Sequence, residues 1–192
     1  YVTYWCDQSG KNNHASQGTS ANQPIIQKGT KGPGYMLVFN NAQTLNGFSY
    51  SVLANTPYTV NIVNRRTASI SAGGNGVDNA MIGLYGGNNT DQNLHITYRS
   101  DNQAYYGQLY DDISGTISNF TTASTEPIRY GFFMASSSAS SGRRLYVYGD
   151  PLGTVTVVDT TKTTLLASGS GNLSIGSYTN GPTYYTGELY EI

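Results

Sequence analysis

The chain has 192 residues, a formal net charge of −1 and only 11% charged residues. This length fits one domain spanning residues 1–192, with enough chain to bury a sizeable core. The low and balanced charge leaves no basic stripe for phosphates, and no apolar stretch approaches the ~20 residues of a membrane span, which argues against nucleic acid binding and membrane insertion.

Strands are predicted along the whole chain, because helical periodicity is almost absent and short β-branched or aromatic runs alternate with turn residues. The predicted strands are Tyr35–Phe39, Gly47–Val52, Tyr58–Arg65, Met81–Tyr85, Asn93–Arg99, Ala104–Tyr110, Ile113–Ser118, Ile128–Ala135, Arg143–Tyr148, Leu173–Ser177 and Tyr184–Ile192. The serine-rich stretch from Ala135 to Gly142 is predicted as a flexible loop. This pattern predicts an all-β fold, an antiparallel two-sheet jelly-roll sandwich.

The N-terminal segment contains a cysteine, a tryptophan and a histidine, for which structural roles are predicted. Cys6 is the only cysteine, which excludes an intrachain disulfide, and we expect it to be a small buried side chain beside a core Trp5. Asp7 precedes Gly10 in a run that predicts an Asx-type turn. His14, after this turn, is predicted to be hydrogen-bonded within the fold rather than to act as a base.

Alternation in the strand Asn93–Arg99 assigns its two faces. Leu94, Ile96 and Tyr98 are expected to face the core, while His95, Thr97 and Arg99 form an outward polar row. The hairpin partner is Ala104–Tyr110, in which two alternating sets compete for a place beside that row. These sets are Tyr105, Gly107 and Leu109, or Tyr106, Gln108 and Tyr110.

Four motifs occur in a fixed order along the chain. They are Trp5–Ala15 followed by Asn22-Gln23-Pro24, then Arg143–Gly149, then Gly171–Gly176, and finally Tyr184–Ile192. Together they resemble concanavalin A-like, laminin G-type jelly-roll domains over nearly the whole chain, although Asn40–Ser49 departs from the usual early segment of that family. The resemblance implies a lectin-like sandwich. Strand-like sequence at both ends favours either a processed product or a domain of a longer protein.

The resemblance also implies a calcium ion at the rim of the sandwich, because laminin G-type domains often hold one. The oxygen-rich loops offer Asp78, Asn88 and Asp91 as ligands. The same residue types are also what turns require, so a purely structural role remains the alternative. Asn88, Asn119 and Asn172 each begin an N-x-[ST] glycosylation triplet, which is compatible with an extracellular protein.

The sequence predicts that the protein is not an enzyme. Retaining glycosidases need two carboxyl groups ~5 Å apart, and the related hydrolases carry an E-x-D-x-x-E strand. Here the acids are scattered: Asp111 and Asp112 are adjacent, and Glu188 and Glu191 are three positions apart, so each pair points to opposite faces of a strand. No nucleophile elbow or His-x-x-x-His pair occurs.

Two functions fit these observations. The first is a non-catalytic module that binds a glycan or a glycan-bearing surface, for attachment or adhesion outside the cell, on a cell surface or on a virion. Its candidate ligand-binding residues are His95, Thr97, Arg99, Tyr105, Tyr106, Tyr110, Tyr178, Tyr184 and Tyr185, with core packing as the alternative for each. The second is an assembly module that packs against other subunits of a capsid, fibre or surface layer.

Overall fold

The structure, a computed structural model, describes residues 1–29, 34–40, 42–67, 79–87, 91–100, 103–108, 112–117, 131–149, 153–178 and 183–191. Strands are numbered β1 to β17 in chain order. The described strands form two large antiparallel sheets and one short hairpin. The predicted antiparallel two-sheet sandwich is therefore confirmed.

The larger sheet has eight strands in the described residues. In spatial order they are β1 (Tyr4–Trp5), β2 (Ala15–Ser16), β5 (Leu45–Ser49), β14 (Asn172–Ile175), β7 (Ala80–Tyr85), β8 (Asn93–Ser100), β9 (Gln103–Gly107) and β10 (Ile113–Thr116). Short 3-10 turns occupy Ser20–Asn22 and Tyr50–Val52.

The second sheet has seven described strands and packs against the first. In spatial order they are β13 (Gly153–Asp159), β12 (Gly142–Gly149), β11 (Gly131–Ser138), β6 (Tyr58–Arg66), β17 (Thr186–Glu191), β4 (Tyr35–Asn40) and β3 (Ile25–Lys28). The short hairpin pairs β15 (Ser177–Tyr178) with β16 (Thr183–Tyr184).

Alternating apolar side chains from both sheets fill the space between them. Leu94, Ile96 and Tyr98 of β8 are each 0% exposed, which confirms their predicted inward orientation. Leu145 and Val147 of β12, in the other sheet, belong to the same core at 0% and 1% exposure. Burial of this kind supplies the main stabilising free energy, at roughly 25 cal/mol per Å² of apolar surface.

Polar contacts also join the sheets. The Tyr98 hydroxyl donates to Asn64 Oδ1 at 2.9 Å, and the Tyr58 and Tyr106 hydroxyls lie 2.6 Å apart. Burial raises the pKa of Tyr98 to about 12, so its hydroxyl stays a donor at neutral pH. These bonds satisfy hydroxyls that would otherwise be buried at a cost.

The prediction of a flexible loop from Ala135 to Gly142 is wrong over its first half. Ser136, Ser137 and Ser138 continue β11, which pairs with β12 on one side and β6 on the other. Two complete ladders of backbone hydrogen bonds outweigh the weak strand preference of serine. Only residues 139–141 form the turn. The sequence prediction also omitted β2, β3 and β13, whereas strand-like sequence at the N-terminus was expected where β1 lies.

Candidate functional site

The outer face of the eight-stranded sheet is covered by the hairpin β15–β16. A Cβ atom on Gly83 of β7 would lie 2.4 Å from the carbonyl oxygen of Ser177 and 2.6 Å from Tyr178 Cα. Glycine is therefore required where the hairpin backbone meets the sheet. His95 lies beside Gly83 on β8, and its ring is 4.1 Å from the Tyr178 ring.

The prediction of a solvent-exposed polar row is wrong at His95 and Thr97. His95 is 7% exposed and Thr97 is 0% exposed, although both point away from the sandwich interior as the alternation predicted. Desolvation by burial lowers the pKa of His95 to about 4, so the imidazole is neutral at pH 7. The Thr97 hydroxyl donates to the carbonyl of Tyr98 at 3.1 Å. Neither side chain is presented to solvent.

The rest of the predicted row packs onto itself. Tyr105 joins the row because it pairs with Thr97, and Gly107 pairs with His95. Burial raises the pKa of Tyr105, and a hydrogen bond with Asp112 raises it further. The partly buried Arg99 guanidinium lies 5.0 Å from the Tyr105 ring centroid. The structure thus brings Arg99, Tyr105 and His95 together, but with little open surface.

The remaining predicted tyrosines differ in position. Tyr106 and Tyr185 are 0% exposed and belong to the core between the sheets, so their side chains cannot meet a ligand in this conformation. Tyr178 is 7% exposed because it lies against His95 and Tyr85. Tyr184 in β16 is partly exposed. Tyr110 lies outside the described residues.

A buried charge network occupies one end of the sandwich. Arg143 is 0% exposed, and its Nη2 donates to Asp91 Oδ1 at 2.8 Å and to the Thr164 carbonyl at 2.9 Å. The same atom also donates to Gln108, whose amide donates to Tyr106. Pairing of this kind makes burial of the two charges tolerable.

This network bears on the calcium prediction. The carboxylate of Asp91 is held by the Arg143 cation, which disfavours a second cation at the same oxygen. In the part of the chain that the structure describes, no three His, Cys, Asp or Glu residues are grouped as a metal site. Asp78 and Asn88 lie outside the described residues. Calcium binding through Asp78 and Asn88 therefore stays a prediction of the sequence.

The glycosylation candidates are only partly covered. Asn172 is exposed at the start of β14. Asn119, like Asn88, lies outside the described residues. The other two residues of its triplet, Leu173 and Ser174, are 6% and 0% exposed, so only the Asn172 side chain is accessible.

The N-terminal segment forms a small groove that differs from the prediction. Trp5 is 36% exposed and Cys6 is exposed, so both predictions of burial are wrong. The reason is that β1 is an edge strand of two residues, paired only with β2. Trp5 lines a cavity of about 340 Å³ together with Gln8, Asn13 and Phe48.

The predicted turn beside this groove is confirmed. The Asp7 carboxylate accepts from the backbone N–H groups of Ser9 at 2.8 Å and Asn13 at 3.0 Å, and Gly10 has φ of +76°. The Ser9 backbone bond is the largest cause that lowers the pKa of Asp7 to about 2. His14 Nδ1 accepts from the Asp7 N–H at 3.0 Å, as its structural role predicted.

The seven-stranded sheet presents an outer face with exposed aromatic and polar side chains, which we name the open face. Its described members on β6, β11, β12 and β13 are Thr59, Asn61, Met134, Ser136, Arg144, Tyr146, Tyr148, Thr154, Thr156 and Val158. Tyr148 is 61% exposed and Val158 is 45% exposed. Neither of these two side chains carries a charge.

Tyr146 and Tyr148 alternate along β12 on this face, and Arg144 lies two positions before Tyr146. Side chains two positions apart on a strand are separated by roughly 7 Å, so the three form a line. Exposed tyrosine rings pack against C–H groups and their hydroxyls form hydrogen bonds, which suits hydroxyl-rich ligands. The line was available from the sequence, because Leu145 and Val147 alternate with it as core residues.

Comparison with known proteins shows the fold. No family model matches the chain, and no curated protein matches it. Domain 4 of AbnA, an extracellular GH43 arabinanase from Geobacillus stearothermophilus solved with arabinotriose, has a TM-score of 0.52 at 12% identity, covering 91% of this chain and 75% of that one. The enzymatically active domain of tailspike protein 2 from bacteriophage CBA120 has a TM-score of 0.50 at 13% identity, covering 87% and 26%. The binding domain of botulinum neurotoxin serotype G has a TM-score of 0.49 at 8% identity, covering 99% and 47%.

Within the described residues, no helix has the length and apolar character required to cross a membrane.

Proposed function

We propose that this protein is a non-catalytic carbohydrate-recognition module of the concanavalin A-like type, and that it binds glycans on the open face across Tyr146 and Tyr148. The observation that carries the proposal is the line of Arg144, Tyr146 and Tyr148 on β12, in which Tyr148 is exposed and the other two are half-buried. A hydroxyl-rich ligand needs apolar ring faces and neutral hydrogen-bonding groups side by side, and the threonines and Asn61 supply the latter.

The fold neighbours support this proposal. One of them is described in complex with arabinotriose and as extracellular, and another is a phage tailspike domain. A location outside the cell or on a virion, and a role in attachment, therefore belong to the proposal. We include membership of the laminin G-type group, on the motifs quoted above.

The state of the described carboxylates supports a binding role over catalysis. Asp91 and Glu188 are each paired with an arginine, and Asp7 and Asp159 accept hydrogen bonds from their own turns. Asp112 accepts from the Gln108 backbone N–H at 3.1 Å. A catalytic acid or nucleophile needs a carboxyl group free to face the substrate.

A glycan array with the purified chain tests the proposal. We expect binding to at least one saccharide class, with Tyr146→Ala and Tyr148→Ala each weakening it by about tenfold. Tyr35→Ala is the matched control, because Tyr35 is 65% exposed on β4, close to the 61% of Tyr148. Absence of binding at high micromolar concentration, or equal loss in the Tyr35→Ala control, would count against the proposal.

The second function, an assembly module, is favoured by one feature. Tyr148, Val158 and Met134 together give the open face an apolar component that also fits a protein partner. Light scattering separates the two functions. A concentration-dependent oligomer that Tyr148→Ala dissociates would support assembly, whereas a monomer that binds saccharide supports recognition.

A further inference from the structure

Within the described residues, Arg144 on the open face makes no ion pair or side-chain hydrogen bond. It is partly buried, and its Nε lies out of contact with solvent without a hydrogen-bond acceptor. No carboxylate of the described residues lies within ion-pair distance of it. A buried donor that lacks an acceptor costs free energy, and an incoming acceptor recovers that cost.

A second arginine on the same outer face shows the usual arrangement. Arg65 of β6 donates from Nε to Glu188 Oε2 at 2.7 Å and from Nη2 to Oε1. This is the two-pronged geometry that guanidinium groups form with carboxylates. Arg144 has the same fork of donors, and no carboxylate of the described residues occupies it.

Hydroxyl groups surround the Arg144 side chain. Arg144 lies in a groove of about 300 Å³, the serine groove, whose lining includes Thr59, Ser136, Ser138 and Ser141. Ser136 is the cross-strand neighbour of both Arg144 and Thr59. Hydroxyl donors beside a guanidinium complement an oxyanion, and none of the described residues that line the groove is acidic.

We propose that the serine groove binds an oxyanion carried by a saccharide, either a uronic carboxylate or a sulfate ester. The inference rests on the proposed function and adds the chemical class of the glycan. Arg144 is roughly 7 Å along the strand from Tyr146, so an acidic group in the groove places neighbouring rings over the tyrosines.

The first experiment tests the oxyanion site without any glycan. Sodium sulfate and sodium glucuronate replace sodium chloride at constant ionic strength, while NMR follows the Nε–H signals of Arg144 and Arg65. We expect a saturating shift at Arg144 and none at Arg65, because Glu188 already occupies that fork. A shift that is absent, or that does not saturate, would overturn the oxyanion site.

The second experiment compares oligogalacturonate with its methyl ester, which has the same backbone but no charge. We expect Arg144→Gln to weaken binding of the acid by about tenfold and to leave binding of the ester within about twofold. Tyr148→Ala should weaken both. Equal weakening of acid and ester by Arg144→Gln, with the thermal unfolding midpoint unchanged, would overturn the inference.

The two experiments separate the two proposals. Saturation by sulfate or glucuronate without binding of any saccharide would overturn the glycan function and leave an oxyanion site. Saccharide binding that depends on Tyr148 without saturation at Arg144 would overturn the oxyanion site and leave the glycan function.

Discussion

The two sheets of the sandwich differ in what covers their outer faces. The eight-stranded sheet is closed by its own chain, since the hairpin β15–β16 lies over Gly83 and His95. The seven-stranded sheet leaves Tyr148 and Val158 exposed at 61% and 45%. Both faces carry the aromatic and polar residues typical of a binding surface. Around His95 and Thr97 the first face keeps them from solvent, so composition alone does not identify a site.

Truncating a buried side chain should cost a similar free energy of unfolding in either sheet, and this is the largest effect that we expect. Leu94 of β8 and Leu145 of β12 are both 0% exposed, one in each sheet. We expect Leu94→Ala and Leu145→Ala each to lower the free energy of unfolding by about 3–4 kcal/mol, through lost burial and a residual cavity. Chemical denaturation measures both. A cost under about 1 kcal/mol for either would contradict the packing of that sheet.

The covered face should respond to pH through His95. Burial holds the pKa of His95 at about 4 in the folded state against an ordinary 6.5, so below pH 6.5 the unfolded chain takes up the proton first. Stability is therefore full above pH 6.5 and falls on acidification towards pH 4, by on the order of 3 kcal/mol. Below the folded pKa, this contribution changes no further.

Denaturation at a series of pH values checks this expectation. The loss of stability between pH 6.5 and pH 4 should be absent in His95→Gln and present in His14→Gln. The loss from Asp7, whose pKa is lowered to about 2, belongs to a lower window and does not overlap. A fall that persists in His95→Gln would show that the hairpin does not desolvate this ring.

Gly83, where the hairpin β15–β16 contacts the sheet, should tolerate no side chain. Gly83→Ala places a Cβ atom against the backbone of Ser177 and Tyr178, so we expect a loss of about 2 kcal/mol. Gly18→Ala is the control, because an added Cβ there meets no atom within 4 Å. The difference between the two variants in thermal unfolding measures the coverage directly. Equal stability of Gly83→Ala and Gly18→Ala would mean that the hairpin moves away from the sheet at little cost in free energy.

Replacing Arg144, which has no ion-pair partner among the described residues, should not destabilise the protein. Arg144→Met keeps much of the apolar stem and removes a buried donor without an acceptor, so we expect the free energy of unfolding to stay constant or to rise by up to about 1 kcal/mol. Urea denaturation measures this change. A loss of more than about 2 kcal/mol would indicate that Arg144 has a structural partner.

The smallest expected effect is at the most exposed ring. Tyr148→Ala should change the free energy of unfolding by no more than about 0.5 kcal/mol, since little of this side chain is buried. The same variant is expected to lose saccharide affinity. Unchanged affinity together with a large loss of stability would reverse the assignment of the open face.

Local patterns in the sequence were enough for the sandwich and for the inner faces. Leu94, Ile96 and Tyr98 were placed correctly because side chains alternate with a period of two. The covered face was missed because it depends on a hairpin almost 100 positions later in the chain meeting Gly83, and no local pattern reports such a contact. Trp5 was misplaced because alternation does not show that β1 lies at a sheet edge. The open face was predictable from β12 alone, since Arg144, Tyr146 and Tyr148 alternate with Leu145 and Val147.

NMR mapping of a bound saccharide tests most directly whether the open face is the binding surface. The chain is titrated with each saccharide that the array identifies, and backbone and side-chain shifts are followed over all described strands. We expect the perturbed residues to be confined to β6, β11, β12 and β13, centred on Tyr146 and Tyr148. Perturbations centred on His95 and Tyr178, or on the groove beside Trp5, would contradict the assignment of binding to the open face.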